Sequence, residues 1–134
     1  MPNQKLALEW VVFARKNLET AQLLFSKNHY TDVIAFDIQQ AIEKALKAVY
    51  AYNDQKVPKI HAIDVLYNYA KSCIHFNNID IKQLFTVNDY YISERYPGPR
   101  FSMPEVDEIE LSINLAQSIL EQVISHINTS SADL

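Results

Sequence analysis

The side chains best suited to chemistry crowd one stretch, YYISERYPGPRF at residues 90–101. It holds two of the chain's three arginines and its only glycine. A guanidinium pairs with phosphate or carboxylate through charge and two parallel hydrogen bonds. Tyr91 stands four residues before Arg95, so a helix that reaches that far would place both on one face. In Tyr96-Pro97-Gly98-Pro99, proline second and glycine third suit a type II turn. Pro99 has no N–H, so that turn must be open. Backbone chemistry thus accounts for Pro97, Gly98 and Pro99 but not for the flanking arginines. Arg95 could instead pair with the carboxylates of residues 105–110.

Other candidate groups are scattered. His29, His61, His75 and His126 include no pair at i, i+3 or i+4, so no metal site is expected. His61 follows Val57-Pro58-Lys59 and opens a helix, where it could pack, cap or meet a ligand. Cys73 is the only cysteine, which rules out an internal disulfide; beside Ile74 and Phe76 it reads as a buried apolar residue. No serine or cysteine lies in a nucleophile elbow, and no glycine-rich loop could cradle phosphates. No catalytic residue and no cofactor are assigned. The net charge of −4 argues against a broadly basic nucleic-acid surface but leaves room for a local basic patch.

The elements that must position these groups read as helices. At 134 residues the chain fits a single domain spanning 1–134, large enough to bury roughly 68% of its unfolded surface. A lone glycine points to helices joined by few sharp turns. The first helix is expected from Gln4 to Asn28, with a core stripe of Trp10, Ala14, Asn17, Ala21 and Leu24 widened by Phe13, Leu18 and Phe25. Thr31 or Asp32 would cap a second helix ending near Tyr52. It has two adjacent apolar seams: Ile34, Ile38, Ala41, Ala45, Ala48 and Tyr52, then Ala35, Ile42, Leu46, Val49 and Tyr50. A third helix is expected at about 62–74 and a fourth at about 80–94. Ser102 and Pro104 would begin a last helix running to about Ile127, with residues 128–134 as a frayed tail. The fold class is all-α, an up-and-down bundle of four long helices and a short fifth. No signal peptide or membrane span is read, and the expected location is cytoplasmic.

The run FDIQQAIEKALKAVYAY (36–52) carries more than helix propensity. Its Phe-x-x-Gln-Gln-Ala-x-Glu-Lys-x-Leu-Lys-Ala pattern, with Gln39, Gln40 and Glu43, resembles the second-helix signature of HEPN domains. His61 before Leu66 is loosely similar to that family's third-helix motif. Arg95-Tyr96-Pro97 resembles the Arg-Tyr-Pro motif after the fourth helix. The resemblance covers nearly the whole chain and implies a helical bundle that usually dimerises. Small prokaryotic members are encoded beside a minimal nucleotidyltransferase as a toxin–antitoxin-like pair. One branch comprises metal-independent ribonucleases with an arginine, then four to six residues, then a histidine. None of the arginines here has such a histidine.

The resemblance therefore implies a non-catalytic homodimeric subunit that binds a nucleotide or a nucleotidyltransferase. Lys44, Lys47, Lys59, Arg95 and Arg100 would contact the anion, with His61 beside them and Tyr91 stacking on a base. One alternative is a ribonuclease with an atypical site, acting on RNA; another is a helical adaptor with no ligand.

Overall fold

The computed structural model describes residues 2–91 and 103–132. Among them lie five helices and no strand: α1 (Gln4–Ser26), α2 (Thr31–Tyr52), α3 (Ile63–Cys73), α4 (Ile81–Asn88) and α5 (Val106–Ala132). They form an all-α helical bundle.

α1 and α2 make the most extensive pairing. Ala7, Ala14 and Ala21 recur every seven residues in the buried seam of α1, with Val11 and Leu18 between them. Small side chains let the two helix axes approach closely, whereas ridges of larger residues hold packed helices 8–10 Å apart. That seam is rotated from the expected stripe: Trp10, Leu24 and Phe25 sit half-buried at its margin, and Phe13 is 50% exposed. The hairpin closes at its open end through Asn3 N–H donating to Tyr52 C=O at 2.9 Å. At the other end the chain turns through Asn28, whose φ of 56° is one that asparagine tolerates better than most residues.

α2 is the hub and packs against each of the other four helices. Both of its apolar seams are therefore covered inside one chain, Tyr50 alone staying half-exposed. Each fully buried isoleucine here, such as Ile38 or Ile42, contributes about 1.5–3 kcal/mol relative to exposure. α5 lays down the stripe Ile109, Ile113, Ala116, Ile119, Leu120, Val123 and Ile127 at helical spacing, all buried.

The helix ends differ from expectation in instructive ways. Thr31 is the first residue of α2 rather than its cap, and Tyr30, which precedes it, makes no side-chain capping bond. Pro104 precedes α5, whose first turn is closed by Ile109 N–H donating to Glu105 C=O at 3.1 Å. α5 continues past Ile127 to Ala132, through residues expected as a tail. In α4 the buried residues are Leu84 and Val87, while Ile81 and Phe85 are 43% and 52% exposed. α4 has its own cap, Asp80, whose carboxylate accepts from Lys82 and Gln83 N–H. Ser102 and residues 92–94 of the expected fourth helix lie outside the described residues.

Candidate functional site

The Gln-Gln-x-x-Glu-Lys run lies on the middle of α2 and builds a polar cluster that is almost dry. Gln39, Glu43 and Lys47 are 0%, 3% and 5% exposed. A buried carboxylate must be paired and hydrogen-bonded to stay charged. Glu43 Oε2 pairs with Lys47 Nζ at 3.0 Å, and Oε1 accepts from Gln39 Nε2 at 3.2 Å. Gln40 Nε2 reaches Gln39 Oε1 at 2.7 Å and Glu43 Oε1 at 3.4 Å. Lys47 Nζ also lies 5.8 Å from the centroid of the Trp10 ring, so α1 closes the cluster from one side.

The other side is closed by the segment before α3. Gln39 Nε2 donates to His61 C=O at 2.9 Å, and His61 Nδ1 lies 3.0 Å from Glu43 Oε1. That segment is held in turn by Asn88 of α4, whose side-chain oxygen accepts from Ile63 N–H at 2.8 Å. Since Glu43 can only accept, Nδ1 carries the proton in this contact, and in the neutral ring Nε2 is then the lone-pair nitrogen. The His61 side chain is 47% exposed. Tyr91 stacks on it at 4.3 Å between centroids and 14° between planes, and Phe36 stacks near Tyr91 at 6.3 Å.

The candidate residues thus separate into groups. His61 and Tyr91 come together, and Gln39, Gln40 and Glu43 support them from α2. Lys59 is exposed two residues before His61. Lys47 is buried in its pair with Glu43. Lys44 Nζ donates to Asn17 Oδ1 at 2.7 Å, and Asn17 Nδ2 donates to Asp37 Oδ1 at 3.0 Å. Burial pushes the Asp37 carboxyl above its ordinary range, partly offset by the Asn17 hydrogen bond and the Lys44 charge. Burial likewise lowers Lys44, against the charges of Glu43 and Asp37. Both lysines of α2 are therefore engaged within the fold. Arg95, Tyr96, Pro97, Gly98 and Arg100 lie outside the described residues.

The contacts of Asn17, Trp10, Phe36 and Asn88 with this cluster carry no sequence signal of their own, because each depends on how two helices meet. A second polar group anchors the chain just before residue 92. Tyr90 OH donates to Glu108 Oε2 at 2.5 Å and lies 3.2 Å from Ser112 Oγ, which accepts from Gln83 Nε2 at 2.6 Å. Among the described residues no three His, Cys, Asp or Glu side chains converge as a metal site requires. None of the described helices is long and apolar enough to cross a membrane.

The model of the HEPN domain family matches residues 7–127. The chain belongs to the HEPN family. The crystal structure of TT1696 from Thermus thermophilus superposes on this HEPN domain with a TM-score of 0.71 at 29% identity, covering 90% of this chain and 97% of that one. The archaeal HEPN homologue ST0689 has the same fold, with a TM-score of 0.67 at 22% identity over 90% of this chain and 97% of its own. In sequence the chain is similar to "Putative toxin MJ1304" of Methanocaldococcus jannaschii, 28% identical over 109 residues, or 74% of this chain and 68% of that protein. Within this HEPN domain the glutamine–glutamate signature is an internal brace, and His61 is the polar group it delivers to the surface.

Proposed function

We propose that this HEPN protein is the homodimeric partner of a minimal nucleotidyltransferase in a toxin–antitoxin-type pair, and that it recognises a nucleotide at the His61–Tyr91 corner. The observation that carries the reading is the contact between His61 Nδ1 and the buried Glu43 carboxylate, which fixes a half-exposed imidazole beside Tyr91. A ring held by a buried carboxylate loses little entropy on meeting a ligand. Lys59, Arg95 and Arg100 supply the phosphate contacts, while Lys44 and Lys47 serve the fold. The similarity to a protein named as a toxin agrees with such a pair.

Calorimetry with ATP, GTP and AMP tests this directly. Saturable binding that weakens in His61→Ala supports it; absence of heat with every nucleotide removes the ligand half of the reading. Co-purification with the product of an adjacent nucleotidyltransferase reading frame tests the partner half.

One observation favours a second reading, metal-independent cleavage of RNA. A histidine oriented by a carboxylate is the arrangement that general acid–base catalysis uses. Labelled RNA that stays intact with the purified protein, alone and with its partner, would sink it.

A further inference from the structure

The contact with Glu43 decides what the His61 ring offers a ligand as well as where the ring points. An ionised carboxylate only accepts, so Nδ1 keeps the proton of the neutral ring. Moving that proton to Nε2 would set two lone pairs against each other at 3.0 Å. Lys47 Nζ already neutralises Glu43 at 3.0 Å, so the carboxylate does not need a charged ring for balance. The neutral imidazole therefore presents Nε2 as an acceptor with no hydrogen to give. A phosphate oxygen also only accepts and finds no partner there. Whatever meets Nε2 must bring an O–H or an N–H.

Geometry narrows the donor. Tyr91 covers one face of the ring, 4.3 Å between centroids and 14° between planes, and stacks with Phe36 as well. The Nδ1 edge is turned to Glu43. The 47% of the side chain that stays exposed therefore belongs to the second face and the Nε2 edge. A base laid on that second face extends the stack, parallel to the imidazole and about 3.5 Å from it. The Nε2 lone pair lies in the imidazole plane. The N–H groups on the edge of a stacked base lie in the plane of the base and miss it. The sugar leaves the plane of the base, so its hydroxyls are the donors that descend to Nε2.

We infer that His61 Nε2 accepts from a ribose hydroxyl, so that the corner selects ribonucleotides over deoxyribonucleotides and takes no phosphate on the imidazole. The hydroxyl is the group by which a protein tells the two sugars apart. This rests on nucleotide recognition at the corner and is independent of any protein partner. The test is calorimetry at pH 8, where an ordinary imidazole is neutral. ATP, GTP and AMP are each compared with their 2′-deoxy and 3′-deoxy counterparts, for wild type and for His61→Phe. Phenylalanine keeps a ring for stacking and has no acceptor; circular dichroism checks that its helices are intact. In wild type, loss of the 2′- or the 3′-hydroxyl should weaken binding about threefold to tenfold, the effect of one neutral hydrogen bond. His61→Phe should bind the ribo and deoxy forms within about twofold of each other, having no such bond to lose. Wild type that binds both sugars alike, or His61→Phe that keeps the difference, overturns the inference and leaves nucleotide recognition standing. Absence of binding by every compound overturns both. If His61→Phe does not fold, the wild-type comparison decides alone.

Discussion

Glu43 Oε1 lies 3.0 Å from His61 Nδ1, joining the middle of α2 to the segment that enters α3 across 18 residues of sequence. The same carboxylate neutralises Lys47 four residues on, so one buried charge both braces the fold and orients an exposed imidazole. Structure and site are coupled through Glu43.

Glu43→Ala should cost about 3–5 kcal/mol, because it strands the Lys47 ammonium where water cannot reach it. The double variant Glu43→Leu with Lys47→Met should recover most of that loss, since a well-packed apolar pair can replace a buried ion pair. Urea denaturation of the three proteins decides this. A single-variant loss below about 1 kcal/mol would mean that the cluster is wetter than its burial indicates.

Much of the helical frame is legible in the sequence, and the reason is periodicity. The α5 stripe and the two seams of α2 match the buried residues because aliphatic side chains recur at 3.6-residue spacing. α1 misleads because its core is alanine: weighting by size selects Trp10 and Phe13, while close helix approach selects Ala7, Ala14 and Ala21. Glu43 and Lys47, four residues apart on α2, form an ion pair. Their burial is invisible locally, because Trp10 and the His61 segment arrive from other elements to cover them. Cys73 shows the converse. It reads as buried but is only partly so, packed at the margin of the core with Asn53 Nδ2 3.1 Å from its sulfur.

A pH dependence follows from His126, which packs edge-on against Tyr52 at 5.7 Å and is lowered from its ordinary 6.5 by burial. The folded state favours the neutral ring. This contribution is therefore fully present above pH 6.5 and is lost as pH falls through the lower folded value. Melting temperature followed from pH 7.5 to 5 should fall for wild type and fall less for His126→Gln. Parallel curves would show that burial of His126 does not bear on stability.

Tyr90→Phe should cost about 1–3 kcal/mol, since it removes a donor to Glu108 and leaves the buried Ser112 with only Gln83. Hydrogen exchange is expected to rise first in α4, where Tyr90 ties the chain to α5. Unchanged exchange in α4 would locate the anchor elsewhere.

Nucleotide recognition at the His61 corner is tested most directly by the melting temperature under increasing ATP, GTP and AMP, for wild type and His61→Ala. Binding to the folded state alone stabilises as RT ln(1 + [L]/Kd), about 2.7 kcal/mol at one hundred times Kd. Wild type is expected to follow that curve with at least one nucleotide, and His61→Ala to lose most of the shift. A melting temperature that stays flat with all three nucleotides up to millimolar concentration would contradict it.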